Sequence, residues 1–273
     1  MPRVAIQGQI GSFHHTVTQR WFKNYELVCQ DTFHGVFDAV ATKQADQAIV
    51  AIENSLYGSI ADVYDLLLKY KYPIVGELVE HIHLQLMAKD GVKLSDITEV
   101  YSHPVALNQC REWLEEHLPD AEIIEHHDTA GAVAYVKELD SPFTAAIAGT
   151  QASSLYDLPI LEHDIEDEKT NLTRFVVLDP TTVNDIDYAD KASLVITTTH
   201  HAGALYEALG VFASHSVNLT KLQSRPIRGK KFQYQFFVDA DVNKMTLDQI
   251  VAELEQKKCH VIVLGHYKSH LST

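Results

Sequence analysis

Several short segments of this chain carry side chains able to do chemistry, and most share one placement. In Gly8-Gln9-Ile10-Gly11-Ser12-Phe13, Glu53-Asn54-Ser55-Leu56-Tyr57-Gly58-Ser59, Ser102-His103-Pro104 and Asp128-Thr129-Ala130, a strand-like run ends, a polar turn follows and a helix-like pattern begins. In a parallel α/β sheet such turns lie at the carboxyl ends of strands, where ligands bind. A helix start there offers unpaired N–H groups and partial positive charge, which suits a carboxylate. The glycine turn is spaced GxxG, without the GxGxxG of dinucleotide sites, and taken alone it equally describes a tight turn. Asn54 and Ser55 place an amide and a hydroxyl after a buried run; helix capping would use the same two residues. A further segment, Thr170-Asn171-Leu172-Thr173-Arg174-Phe175, stands ahead of apolar Val176, Val177 and Leu178. There a threonine hydroxyl sits beside a guanidinium, a proton donor next to a fixed fork for carboxylate. The same residues could simply open a strand with an exposed arginine.

The 16 histidines suggest metal binding, with His14-His15, His81 and His83, His126-His127 and His200-His201 as candidates. Adjacent histidines diverge on either a strand or a helix, so only His81 and His83 can share a strand face. Their spacing implies no third ligand, and no HExxH, Cys/His set, P-loop or GxSxG elbow occurs. No metal and no cofactor is expected. The acidic run 162–168 reads as a solvated face.

The elements that must hold these residues alternate. Strands are expected at 3–7, 47–52, 99–102, 145–148 and 175–178. Helices are expected from near Ser12, over 60–70, over 105–117 behind Pro104, and from an Asp128 or Thr129 cap to Leu139. Repeated strand–helix units imply an α/β fold with mainly parallel sheets. The last 80 or so residues differ: strand 192–199, helix 203–214, strand 219–225, strand 231–239, helix 246–258, strand 260–267. That βαββαβ order is the ferredoxin-like arrangement.

Charge divides the chain at the same place. The total is −15, with −18 over residues 1–191 and +3 over 192–273. The break lies near an aperiodic, proline-containing stretch read as a linker. At 273 residues the chain is long enough for two domains. The acidic balance argues against nucleic acid or an anionic membrane as partner. No stretch has the length of a membrane span or a signal-peptide core. Three scattered cysteines, Cys29, Cys110 and Cys259, read as reduced thiols of a cytoplasmic protein.

Taken together, Gly11-Ser12-Phe13, Ile52-Glu53-Asn54-Ser55 with Gly58, Tyr101-Ser102-His103-Pro104 and Thr173-Arg174-Phe175 resemble the prephenate dehydratase family, over essentially the whole chain. Behind them, Gly203-Ala204-Leu205, Asn218-Leu219-Thr220-Lys221 and Gln223-Ser224-Arg225-Pro226 resemble an ACT-type regulatory domain. The resemblance implies a catalytic domain over 1–179 of two periplasmic-binding-protein-like subdomains with a cleft between them, a linker over 180–191 and an ACT domain over 192–273. It implies decarboxylating dehydration of prephenate to phenylpyruvate without a cofactor. Thr173 would stand at the departing hydroxyl and Arg174 at a carboxylate. Gly11, Ser12, Phe13, Asn54, Ser55, Thr129 and Phe175 would complete the substrate site. It further implies a homodimer or homotetramer through ACT domains that bind L-phenylalanine at Gly203, Ala204, Leu205, Asn218, Leu219, Gln223, Ser224, Arg225 and Pro226. With no chorismate mutase region at either end, the expectation is a monofunctional enzyme.

Departures from the family pattern are Gln9 and Ala51-Ile52 where proline is usual, Ala202 in place of proline, and Gln223 in place of glutamate. Losing that glutamate's charge predicts weakened or altered phenylalanine sensitivity with catalysis retained. Two other readings stay open. One is an amino-acid sensor with a solute-binding cleft and no turnover. The other is a dehydratase acting on arogenate, whose amino group would need an anionic or carbonyl acceptor.

Overall fold

The apolar runs of the first 180 or so residues pair into two sheets in the computed structural model, which describes residues 1–182, 188–227, 229–230 and 232–269. The first sheet orders Glu26–Gln30, Arg3–Gln7, Gln47–Asn54, Leu172–Leu178 and Ile74–His81, with Gly58–Ser59 hairpinned onto Gln47–Asn54. Arg3–Gln7 runs parallel to both of its neighbours. Val4, Ala5, Ile6, Ala48, Ile49 and Val50 have no exposed surface. Such two-faced burial produces a continuous apolar run instead of an alternation. The edge strand Glu26–Gln30 is only half-buried and escaped the sequence reading for that reason.

The second sheet orders Ile160–Glu162, Gln85–Ala88, Thr144–Ala148, Glu99–Ser102 and Glu122–Glu125. Glu99–Ser102 is parallel to both neighbours, whereas Gln85–Ala88 is antiparallel to Thr144–Ala148 and Ile160–Glu162. This sheet is therefore mixed, not mainly parallel as expected: Gln85–Ala88 arrives with no crossover helix before it. The helix expected over 105–117 is two, Pro104–Gln109 and Arg111–His117, broken at Cys110 with φ −114° and ψ 16°. Asp167 accounts for the break, because its carboxylate accepts from the Glu112 and Trp113 N–H groups and so caps a new helix start.

The second sheet, with Glu26–Gln30, Arg3–Gln7, Gln47–Asn54 and Gly58–Ser59 of the first, lies in one compact unit, Met1–Leu66 with Leu78–Phe175. A second unit comprises Leu67–Glu77 and the chain from Val176 on. Here strand Lys191–Thr197, helix Ala204–Ser214, strands Leu219–Pro226 and Tyr234–Asp241, helix Lys244–Gln256 and strand His260–Tyr267 follow in the expected βαββαβ order. The strands stand in space as Leu219–Pro226, Tyr234–Asp241, Lys191–Thr197, His260–Tyr267, antiparallel throughout. Leu194, Ile196 and Val238 pack with Val211, Phe212, Ile250 and Leu254 of the two helices into one core. Asn243 caps the second helix two residues earlier than expected by accepting from Thr246 N–H. Leu67–Glu77 also joins this unit: Lys191 and Glu77 form a buried ion pair at 3.0 Å, and Gly265 lies directly against the Ile74 backbone. Of the stretch expected as a linker, residues 183–187 lie outside the described residues.

Candidate active site

The first sheet places Gln47–Asn54 beside Leu172–Leu178, which brings Asn54 to Thr173 across 119 residues of chain. The second of these strands starts three residues before the expected 175, so the whole Thr173-Arg174-Phe175 segment lies within it. Asn54 donates one amide hydrogen to Thr173 Oγ1 at 3.0 Å and the other to Asn171 Oδ1 at 2.7 Å. Its own Oδ1 accepts from the N–H groups of Leu56 and Tyr57. The hydroxyl of Thr173, a residue 8% exposed, makes no other hydrogen bond among the described residues, so its proton remains available. Ser55 is used locally: its hydroxyl donates to Thr170 O and accepts from Leu172 N–H.

Successive strand residues face opposite ways, and the structure obeys this. Arg174 turns away from Thr173 to Glu53, with the guanidinium 3.7 Å from the carboxylate. Phe175, on the same strand face as Thr173, is 1% exposed and meets the His14 ring edge-on, centroids 5.0 Å apart, so it is packed in the core.

In the N-terminal turn Gly8 and Gly11 have φ of +90° and +93°, where a side chain would be strained. Ser12 caps helix Phe13–Trp21 by accepting from His15 N–H. Phe13 leaves its own sheet and packs into the core of the second one, against Gly149, where an added Cβ would stand 3.0 Å from the ring. Tyr156 OH donates to Ile10 O, Thr16 Oγ1 to Gln151, and Asn108 Nδ2 to Tyr57 OH, so direct hydrogen bonds join 1–66 to 78–175 within this unit. Thr129 opens helix Thr129–Leu139, capped by Asp128, which accepts from Gly131 N–H. The Asp128 carboxylate adds to the burial that pushes the Cys29 thiol and Tyr156 hydroxyl up. It also opposes the burial that pushes His103 down. Each of these two helix starts has first-turn N–H groups able to meet an anion.

The two histidines after Ser12 are structural. His14 Nε2 accepts from Ala51 N–H at 3.1 Å, and burial pushes its pKa down to about 3. His15 Nδ1 accepts from Gly11 N–H, which holds the glycine turn. A folded pKa below the unfolded value means that stability is full at neutral pH and is lost as pH falls from the unfolded value near 6.5 toward 3. His14→Gln, which keeps an acceptor for Ala51, should therefore unfold with a flatter pH dependence. The wild type should lose about 2 kcal/mol more than the variant between pH 7 and pH 5 in urea titrations. Parallel pH curves would contradict the assignment.

His81 and His83 stack with ring centroids 4.8 Å apart. Sequence spacing implied no third ligand, yet Asp164 and Glu166 also reach His83, with all coordinating atoms within 4.8 Å. Lys169 Nζ stands 3.9 Å from Glu166, so a side-chain cation already serves this cluster. Sequence reasoning missed Asn171, Tyr156, Gln151 and the His14 acceptor. Only Asn171 left a signal, two residues before Thr173 and hence on the same strand face.

In the second unit, Gly203 precedes helix Ala204–Ser214 with φ of +89°, and Leu205 lies in its first turn. Asn218, bonded to Asp241, stands just before the edge strand Leu219–Pro226, which carries Gln223, Ser224, Arg225 and Pro226. Gln223 Oε1 is buried without a hydrogen-bond partner among the described residues.

A family model described as prephenate dehydratase matches residues 4–182. Arogenate dehydratase 5 of Arabidopsis thaliana is 36% identical over 97% of this chain and 67% of its own length. The bifunctional chorismate mutase/prephenate dehydratase of Aquifex aeolicus is 36% identical over 98% of this chain and 74% of its own. Among solved structures, prephenate dehydratase of Arthrobacter aurescens in complex with L-Phe superposes with a TM-score of 0.86 at 30% identity, over 97% of this chain and 90% of that one. A structure described as a quorum-quenching acylase, GqqA, superposes with a TM-score of 0.87 at 28% identity, over 98% of both chains.

Proposed function

The chain belongs to the prephenate dehydratase family, and from that premise we propose that it converts prephenate to phenylpyruvate, CO2 and water with the Thr173 hydroxyl at the departing ring hydroxyl. The observation that carries this is the Asn54 hydrogen bond, which occupies an acceptor site of Thr173 and leaves its proton to donate. In the reaction the bond from the ring to its carboxylate breaks, its electron pair enters the ring, and the C–O bond opposite breaks. The leaving hydroxide takes a proton to become water. Aromatisation supplies the driving force, so the protein's work is to orient the dianion and stabilise the leaving oxygen. Supporting the orientation are the helix starts behind Ser12 and Asp128, with Gly11, Phe13, Ser55 and Thr129 around them. A carboxylate role for Arg174 requires substrate to replace Glu53 as its partner.

Acyl transfer is disfavoured by the same geometry. Activating a threonine needs a base, and the hydrogen-bond partner of Thr173 is an amide. Arogenate has one residue in its favour: the Asp128 carboxylate, which accepts from Gly131 N–H at a helix start, could also accept an ammonium. Offering both compounds to the purified chain tests the choice. The proposal expects higher kcat/KM for prephenate; a preference for arogenate that Asp128→Asn abolishes would overturn it.

We assign 1–179 to catalysis, 180–191 to a linker and 192–273 to an ACT domain that binds L-phenylalanine and joins copies into a homodimer or homotetramer. Support comes from the L-Phe complex of the Arthrobacter relative and from the βαββαβ order. No described helix is long and apolar enough to cross a membrane, and we place the enzyme in the cytoplasm. Gln223→Glu should restore a charge near the effector and tighten phenylalanine inhibition by about threefold or more. An inhibition constant unchanged by the substitution would count against that role for Gln223.

A further inference from the structure

We propose that Asn54 is a positioning residue that fixes the direction of the Thr173 hydroxyl, with Asn171 locking it in place; this rests on Thr173 being the donor to the leaving group. The argument follows hydrogen-bond direction. The Leu56 and Tyr57 N–H groups, 2.9 and 3.1 Å from Asn54 Oδ1, can only donate. They forbid the flipped amide, because its NH2 would then face two donors. The Asn54 hydrogens must therefore point at Asn171 Oδ1 and Thr173 Oγ1, 2.7 and 3.0 Å away. Asn171 in turn has no freedom to flip, since its Oδ1 is needed by Asn54.

The buried Asn171 marks the cost of this arrangement. It has no exposed surface, and its Nδ2 has no partner among the described residues. An unpaired buried donor is unfavourable, so an asparagine kept for stability alone would not end this way. The chain of donors runs one way, from turn backbone to Asn54 to Thr173, and polarises the last O–H outward. Asn54 thus has no hydrogen left for substrate. It acts on the reaction through Thr173.

Asn54→Asp isolates this device. One oxygen of the new carboxylate keeps the two backbone donors, and Asn171 can turn its spare Nδ2 to the other. That second oxygen now accepts from Thr173 and pulls the hydroxyl proton away from substrate. At neutral pH kcat should fall by about 100-fold with KM within about threefold. As pH drops through the carboxyl range, the protonated acid should donate to Thr173 again, and the loss relative to wild type should shrink about tenfold. A loss that is the same at every pH, or shared equally by KM, would overturn the proposal. If that variant does not fold, Asn171→Leu decides. It removes the lock and should lower kcat about tenfold with KM unchanged; wild-type kcat would overturn the proposal. Thr173→Ala separates the two layers. Full activity in Thr173→Ala would sink the donor reading itself, whereas an inactive Thr173→Ala beside a fully active Asn54→Asp would sink only the positioning role.

Discussion

Thr173→Ala should leave a folded protein that binds prephenate and barely turns it over. Donors aimed at a developing oxyanion are worth about 10²–10³ in kcat, and a hydroxyl engaged chiefly in the transition state adds little to ground-state binding. KM should stay within about threefold. The folding cost is modest: the substitution unpairs one part-buried Asn54 N–H, at about 1–3 kcal/mol. Thr173→Ser keeps the hydroxyl and should retain activity within about tenfold, because Asn54 can still donate to it. Steady-state kinetics of the three proteins check this directly. Losses shared equally between kcat and KM would mean that the hydroxyl binds substrate uniformly and has no special place in the transition state.

Gly265→Ala should be among the most destabilising single-methyl additions in the molecule. A Cβ at this position would stand 2.2 Å from the Ile74 carbonyl oxygen and 2.7 Å from Ile74 Cβ. The obstacle is backbone, which cannot rotate aside. The pairing of His260–Tyr267 with Lys191–Thr197 shifts register beside Gly265, between Ser193 and Leu194, so the local geometry is already committed. Close by, Ser193 donates to Asp239 and bonds the Tyr267 hydroxyl, all three buried. Displacing the segment from Leu67–Glu77 would disturb that network and the Lys191–Glu77 pair together. We expect a loss of about 3 kcal/mol or more, a fall in Tm on the order of 10 °C. Gly210→Ala is the control. That glycine lies in helix Ala204–Ser214 with nothing within 4 Å of an added Cβ, so the substitution should be neutral or stabilising by up to about 1 kcal/mol. Thermal unfolding of the pair distinguishes close approach from a general intolerance of change in this unit.

The reach of sequence reasoning differed between the two units for a physical reason. In the second unit strands and helices are long, Leu219–Pro226 alternates along its length and each helix buries one face, so the βαββαβ order was legible with ends displaced by a few residues. In the first, short strands buried on both faces carry no period to read. Gln85–Ala88 went unnoticed for that reason, as the half-buried edge strand Glu26–Gln30 did for the opposite one, and the second sheet proved mixed. Local composition pointed to Asn54 and Thr173 separately. Their juxtaposition depends on which strands are neighbours, a long-range fact that neither segment contains. Adjacency misled in one respect: Thr173 and Arg174 looked like a matched donor and fork, yet strand alternation sends the arginine to Glu53. Of the two residues offered as the cap of the helix ending at Leu139, Asp128 is the one, its side chain accepting from Gly131 N–H.

Donor direction at Thr173 is the physical centre of the account, but its most direct test is the reaction itself. Purified protein incubated with prephenate at neutral pH should release phenylpyruvate and CO2 in equal amounts, far faster than the uncatalysed reaction. A folded protein that binds prephenate and returns it unchanged would contradict the account and leave the chain a sensor.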